Sequence, residues 1–214
     1  MEHHQKARLL LADDHTLVAE ACKRLLEPEF DVVAIVNDGR ALMRSAVEFR
    51  PDVLVIDIAM PLLNGLDTGE QAKHILPEAK VVYLTMNVSP EVAAEAFRRG
   101  ASGYLPKNAA ASELTTVIRE VLKGKSYLSP LITKDTVDFL LRKRSPAEVP
   151  QITQRQREVL QLLAEGLSMK EVANILKLKP GTVAFHKYRI MATLGVKTNA
   201  DLLKYAIKQH MIPE

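Results

Sequence analysis

The stretch that most constrains the fold is Val53–Pro61, in which four apolar residues run directly into a carboxylate. Residues 53–56 have the composition of a strand that is buried on both faces, as strands of parallel sheets are. Asp57 would then lie at the carboxyl end of that strand, at the edge where open α/β sheets bind ligands. A lone aspartate at a strand end can equally cap a turn, so the other strands must decide between these interpretations.

Composition and charge indicate a globular protein of two domains. Hydrophobic residues make up 47% of the chain and charged residues 26%, both ordinary values. Residues 1–125 carry a net charge of −3 and residues 126–214 a net charge of +6. This asymmetry predicts a second domain with affinity for polyanions. The single cysteine, Cys22, excludes an internal disulfide, and its apolar helical face predicts a core position.

Neither a membrane span nor an export signal is evident. No apolar run reaches the roughly 18 residues that a membrane span requires. The N-terminal residues lack the hydrophobic region of a signal peptide. We therefore expect a cytoplasmic protein without a membrane partner.

Residues 1–125 alternate five strand-like segments with helix-like segments. The strands are expected at residues 8–12, 30–36, 53–56, 81–84 and 103–105. This alternation predicts a doubly wound parallel sheet covered by helices on both faces. Ser89-Pro90 is typical of a helix start, with serine as the N-cap and proline at the first helical position.

The remaining residues are predicted to be a linker followed by a helical domain. The sequence of residues 126–150 is typical of a linker, with a helix that begins near Ser129-Pro130. An exposed basic run is expected at residues 142–144. Residues 151–214 predict four helices. Thr153 is the expected N-cap of the first, and Ser168 with Glu171 forms a capping box at the second.

Polar side chains follow four of the five strands. They are Asp13 and Asp14, Asp57, Thr85, and Lys107. Because the ends of parallel strands share one edge, these groups should converge there. Clustered carboxylates repel one another unless a cation lies among them, and oxygen ligands of this kind suit Mg²⁺. The set favours phosphoryl transfer with Asp57 as nucleophile.

These residues, together with Met60-Pro61, Asn64-Gly65 and Tyr104-Leu105-Pro106-Lys107, resemble the receiver domain of bacterial two-component response regulators over roughly residues 7–125. The resemblance implies a flavodoxin-like (βα)5 fold. It implies that Asp57 accepts a phosphoryl group from a phosphohistidine of a sensor histidine kinase or phosphotransfer protein. The implied Mg²⁺ ligands are Asp13 (through water), Asp14, Asp57 and the Ala59 carbonyl. Thr85 and Lys107 would contact the phosphoryl group, and Tyr104 would be the switch aromatic unless it is merely a half-buried strand residue.

Residues 151–210 resemble the four-helix, helix-turn-helix DNA-binding domain of LuxR/NarL-type regulators. The motifs are Thr153 to Leu160, Ala164 to Ser168, and Gly181-Thr182-Val183 with Leu194-Gly195-Val196. The resemblance implies that the helix from about Pro180 to Leu194 enters the major groove of promoter DNA. The candidate DNA-binding residues are Lys179, Thr182, Val183, Ala184, Phe185, His186, Lys187 and Tyr188. Many relatives carry a basic residue where this chain has Ala184, which puts one base contact in doubt.

The whole chain is therefore identified as similar to NarL/FixJ-class response regulators, which are transcription regulators and not enzymes, so no catalytic residue is expected. The last helix, residues 199–209, corresponds to the surface through which relatives dimerise, although its apolar stripe can equally be core. Two rival functions are a phosphohydrolase and a constitutive DNA binder with a vestigial receiver. The hydrolase needs an acid two residues after its nucleophile, where this chain has Ala59. The intact pocket set argues against the constitutive binder.

Overall fold

The computed structural model describes residues 6–86, 88–132 and 152–212 of the chain. Its first domain is built on a parallel sheet of six strands in the spatial order β2-β1-β3-β4-β5-β6. The strands are β1 (Arg8–Ala12), β2 (Asp31–Val36), β3 (Val53–Ile56), β4 (Lys80–Thr85), β5 (Gly103–Pro106) and β6 (Tyr127–Leu128). All five predicted strands are present, which confirms the predicted parallel-sheet fold.

Five helices cover the two faces of this sheet. They are α1 (Thr16–Leu26), α2 (Gly39–Phe49), α3 (Gly65–Ile75), α4 (Pro90–Arg98) and α5 (Ala110–Leu122). Successive strand residues point to opposite faces, so Leu10 packs with α2, α3 and α4 while Leu9 packs with α1 and α5. Cys22 is buried in the second of these cores, as predicted. The Ser89 side chain accepts a hydrogen bond from the Val92 N–H, which confirms the predicted N-cap of α4.

The sixth strand was not predicted. Residues 127–128 pair with Gly103 and Tyr104 of β5, and the Ser129 N–H donates to the Tyr104 carbonyl at 3.1 Å. A strand of two residues has no periodicity to detect, and only its pairing with β5 defines it. A short 3₁₀ turn at Pro130–Ile132 follows in place of the start of the predicted linker helix. The rest of that helix and the basic run at 142–144 lie outside the described residues.

The second domain has four described helices, as predicted. They are α6 (Gln154–Ala164), α7 (Met169–Leu176), α8 (Pro180–Leu194) and α9 (Asn199–Lys208). Capping boxes at Thr153 and Ser168 fix the starts of α6 and α7, as the sequence indicated. A tight turn through Lys177, which is left-handed with φ of 52°, joins α7 to α8. The two helices thus form a helix-turn-helix around a single apolar core.

The two domains are in contact. Helix α6 lies against the loop between β3 and α3, and Leu62 of that loop packs on the core of the second domain. The side chains of Gln161 and Glu165 bond the same loop. None of the helices in the described part of the chain is both long and apolar enough to cross a membrane.

Candidate functional site

The strand-end residues converge at one edge of the sheet, as predicted. Lys107 lies at the centre, with its Nζ 2.7 Å from Asp57 Oδ2 and 2.8 Å from Asp13 Oδ2. Asp57 follows β3, Asp13 follows β1, and Lys107 follows β5. The parallel arrangement of these strands, and not any local motif, brings residues that are far apart in the chain into contact.

Burial and mutual contacts shift the pKa values of the charged groups in this pocket. Asp57 and Asp13 are only 2% and 5% exposed. Burial raises the pKa of Asp57, while hydrogen bonding to the Lys107 ammonium and its charge oppose that rise. Burial works to lower the pKa of Lys107, but its bonds to the two carboxylates outweigh this effect and raise that pKa. The Lys107 side chain therefore stays protonated and carries its positive charge between the two carboxylates.

Four side chains in this pocket could together hold a cation. Ligand atoms of Asp13, Asp14, His15 and Asp57 all lie within 4.8 Å of one another. The Ala59 N–H donates to Asp57 Oδ1 at 3.3 Å, which places the Ala59 backbone beside the same carboxylate. Three carboxylates form a donor set that suits Mg²⁺.

His15 was not predicted as a member of the pocket. Its Nδ1 lies 2.8 Å from Asp14 Oδ1 and 3.4 Å from Asp13 Oδ1. The signal was its position directly after the acidic pair at a strand end. The imidazole is largely exposed and therefore forms the outer rim of the pocket.

Thr85 and Tyr104 lie close to the pocket in adjacent strands. Thr85 is the last residue of β4, is buried, and pairs in register with Pro106. Tyr104 is fully buried in the core on the α4 side of the sheet, together with Val92 and Ile132. Burial raises the Tyr104 pKa, and the charge of Asp57 adds to that effect. The ring is therefore fully buried instead of half-buried, and the role of Tyr104 as the switch aromatic stays a prediction.

Helix α8 presents a mixed apolar and polar face to solvent. Phe185 and Tyr188 are 57% and 65% exposed, while Ala184 and Lys187 are half-buried. The helix begins at Pro180 after Lys179 as N-cap, and half-buried Thr182 lies in its first turn. Apart from Pro180, all of these residues belong to the set that the sequence predicts to contact DNA.

One of the predicted DNA-binding residues, Val183, is buried, unlike the others. Val183 is fully buried in the domain core with Ile190, seven residues later, so it supports the helix and cannot reach a base edge. Its inclusion is corrected accordingly. His186 is half-buried and contacts Phe185 edge-to-face, with ring centroids 5.9 Å apart.

Sequence reasoning missed Arg189 on this helix. Its guanidinium carbon lies 5.7 Å from the centroid of the Phe185 ring, at the i, i+4 spacing that brings side chains together on a helix. Arg189 is exposed and adds a positive charge beside the aromatic residues. The helical spacing was the signal that could have identified it.

Helix α9 divides its apolar stripe between two roles. Leu202 and Ala206 are buried in the domain core, whereas Leu203 is 40% exposed. Leu202 and Ala206 therefore fit the core alternative, and the exposed Leu203 is compatible with a pairing surface.

The fold and these two sites define a class of protein: a receiver with an acidic pocket, joined to a helix-turn-helix DNA-binding domain. Two family models agree with that description. The response regulator receiver domain matches residues 9–119, and the luxR family of bacterial regulatory proteins matches residues 150–206. The chain belongs to the LuxR-type DNA-binding response regulators, which are transcription regulators and not enzymes, as predicted.

Relatives span nearly the whole chain. The oxygen regulatory protein NreC of Staphylococcus aureus is 32% identical over 216 residues, which cover 96% of this chain and 99% of NreC. The RcsB response regulator of Salmonella typhimurium has a solved structure that is 27% identical, covers 94% of this chain and 96% of that chain, and has a TM-score of 0.62. A structure of RcsB dimers bound to DNA is 26% identical, covers 94% and 98%, and has a TM-score of 0.61.

Proposed function

We propose that Asp57 accepts a phosphoryl group from a phosphohistidine of a sensor histidine kinase or phosphotransfer protein. The observation that carries this proposal is the 2.7 Å contact between Lys107 Nζ and Asp57 Oδ2 inside a buried acidic pocket. A carboxylate oxygen of Asp57 would attack phosphorus as the P–N bond breaks, and the departing imidazole would keep the bonding electron pair. Lys107 is placed to neutralise an oxygen of the transferred group.

The pocket residues fit Mg²⁺ as a cofactor. Asp14 and Asp57 would hold it directly, with the Ala59 carbonyl as a further ligand and Asp13 acting through water. When bound, Mg²⁺ supplies positive charge that offsets the negative charge of the phosphoryl oxygens. The carboxylates at this edge of the sheet repel one another, and a bound cation would reduce that repulsion.

Thr85 and Tyr104 are our candidates for the residues that detect phosphorylation. Thr85 ends the strand next to β3, and its hydroxyl would donate a hydrogen bond to a phosphoryl oxygen. Tyr104 lies in the neighbouring strand β5, opposite Tyr83, and belongs to the same apolar core as Val92 of α4. Added charge at Asp57 would therefore bias an arrangement of buried side chains that extends away from the pocket.

The output would be binding of α8 to the major groove of promoter DNA by a protein that pairs on two half-sites. Lys179 and Thr182 lie at the helix N-terminus, where the helix dipole favours a phosphate. Ala184, Phe185 and Tyr188 would contact base edges, with His186 and Lys187 near them on the same helix. The exposed Leu203 of α9 is a candidate for the homodimer contact. A cytoplasmic location would give this helix access to DNA.

A phosphorylation assay with a matched substitution tests the proposal. Full-length protein treated with a small phosphodonor and Mg²⁺ should gain the mass of one phosphoryl group, and Asp57→Asn should not. Asp52→Asn is the control, because Asp52 precedes the same strand but bonds the Arg8 N–H at 2.7 Å instead of Lys107. The control should be modified like the wild type.

DNA binding measured on the same samples tests the switch. Phosphorylated wild type should bind its promoter more tightly than unmodified protein, and Asp57→Asn should not respond to the phosphodonor. Equal binding before and after modification would favour the constitutive DNA binder instead.

A further inference from the structure

Helix α6 of the DNA-binding domain holds the loop that follows Asp57. Gln161 of α6 is fully buried, and its amide bonds the loop at two positions, Met60 and Asn64. Gln161 Oε1 accepts hydrogen bonds from the Asn64 backbone N–H at 2.8 Å and from its side-chain amide at 3.0 Å. Gln161 Nε2 donates to the Met60 carbonyl at 3.1 Å. A single side chain of one domain thus bridges residues 60 and 64 of the other.

A second side chain of α6 bonds the middle of the loop. Glu165 Oε1 accepts from the Leu62 N–H at 3.0 Å and from Gln161 Nε2 at 2.8 Å. Leu62 is left-handed, with φ of 65°, a conformation that a leucine adopts only when its surroundings impose it. Its side chain packs on the apolar core of the second domain. The loop conformation is therefore one that α6 stabilises.

The residue that directly follows the loop is packed on the backbone of the phosphoacceptor. A Cβ atom added to Gly65, which follows the loop, would lie 2.1 Å from the Asp57 carbonyl oxygen. The Gly65 N–H also donates to the Ile58 carbonyl at 2.8 Å. Because Gly65 is in close contact with the backbone of residues 57 and 58, we expect a shift of the loop to move the backbone beside Asp57.

Ion pairs hold the part of α6 that precedes Gln161 against the receiver. Arg157 Nε lies 2.9 Å from buried Asp67 of α3, and Arg40 of α2 lies 3.1 Å from Glu158. Meanwhile Phe185 and Tyr188 of α8 are exposed. The contact between the domains therefore leaves these side chains of α8 exposed and lies instead on the loop that follows Asp57.

We propose that Gln161 is a positioning residue for the phosphorylation site, so that the DNA-binding domain prepares the pocket for the phosphoryl group. The inference rests on the proposed function of Asp57. Gln161 and Glu165 hold residues 60–64 in the arrangement that aims the Asp57 carboxylate and the Ala59 backbone. Coupling of this kind is reciprocal, so phosphorylation and Mg²⁺ binding must alter the docking of α6 in turn.

The test is the rate of phosphorylation of full-length variants by a small phosphodonor, measured over a range of Mg²⁺ concentrations. Gln161→Ala should slow modification at Asp57 by about tenfold, since small misplacements of a reacting group are costly. It should also raise the Mg²⁺ concentration that gives half the maximal rate. A role confined to folding would change neither value in protein that is fully folded at the assay temperature.

Matched variants on the same helix serve as controls. Gln156→Ala removes a glutamine of α6 that accepts from the Thr153 N–H within its own capping box, and should leave both values unchanged. Glu165→Gln keeps an acceptor for the Leu62 N–H and should also preserve them. Glu165→Ala removes that acceptor and should slow modification, which keeps the proposal testable if Gln161→Ala does not fold.

Each outcome decides one question. A Gln161→Ala rate equal to or faster than that of the wild type would overturn the positioning role, while leaving Asp57 as the phosphoacceptor. Slowing by Gln156→Ala to the same extent would also overturn it, because general loosening of α6 would then be the cause. If the wild type itself takes up no phosphoryl group on Asp57, the proposed function fails first.

Discussion

Replacing Lys107 by methionine is expected to destabilise the folded protein strongly in the absence of metal. The Lys107 ammonium lies 2.7 Å from Asp57 and 2.8 Å from Asp13, and all three side chains are at most 6% exposed. The substitution keeps the aliphatic chain but leaves two buried carboxylates without their cation. Removing one partner of a buried ion pair typically costs about 3–5 kcal/mol.

Thermal unfolding of the full-length protein at pH 7.5 with a chelator present measures this loss. In a protein of this size a loss of 1 kcal/mol lowers Tm by roughly 2 °C or more, so the variant should unfold at least about 6 °C below the wild type. Lys73→Met is the control, because Lys73 donates to the backbone carbonyl of Ala79 instead of a carboxylate. Its Tm should fall by much less.

The loss should shrink at low pH. Burial already raises the pKa of Asp57 above its ordinary value of 3.8, and removal of the ammonium takes away an interaction that lowers it. A carboxyl with a raised folded-state pKa binds its proton more readily when folded. Its stability contribution is therefore most favourable below the ordinary pKa and declines as pH rises to the folded-state pKa. The gap in Tm should thus be smaller near pH 4 than at pH 7.5.

Added Mg²⁺ should restore part of the stability. An ion present at ten times its Kd stabilises the folded state by about 1.4 kcal/mol. The Tm gain should be larger in Lys107→Met than in the wild type, because the variant lacks a competing positive charge. An unchanged Tm without metal, or equal gains in both proteins, would refute this account of the pocket.

Two further predictions concern other parts of the chain. Lys187→Ala should weaken promoter binding and reduce the magnitude of the slope of log affinity against log salt by about one. Lys123→Ala in the receiver is the control and should change neither value. An unchanged slope in Lys187→Ala would show that Lys187 does not contact DNA. Burial, reinforced by the charge of Asp13, raises the pKa of Cys22 to about 11, so its thiolate fraction at pH 8 is about a hundredfold below that of an ordinary thiol. Alkylation at pH 8 should therefore be slow in the native protein and fast in denaturant; rapid native labelling would contradict the buried position.

The pocket could be predicted from the sequence because its geometry follows from topology. Once β1, β3, β4 and β5 are parallel, the residues at their carboxyl ends must lie at one edge. Asp57, Asp13 and Lys107 therefore needed no contact information to be grouped. The helix starts at Ser89 and Ser168 were equally predictable, since a cap depends on residues three positions apart.

What could not be predicted depends on contacts between distant segments. Residues 127–128 become a strand only because β5 offers a free edge. Gln161 was not singled out from the sequence, because no local pattern around it indicates that its partner is Asn64. Val183 was grouped with its exposed neighbours, although its spacing to Ile190 already indicated a core position.

The contact through Gln161 also bears on how this protein could be recombined. A C-terminal domain separated within the linker would carry an amide and a carboxylate that now bond the receiver, and the receiver would expose Leu62 to water. A chimera that joins this DNA-binding domain to another receiver should therefore keep residues 60–64 together with α6. The segment that must be transferred together therefore includes residues on both sides of the linker, namely residues 60–64 of the receiver and helix α6.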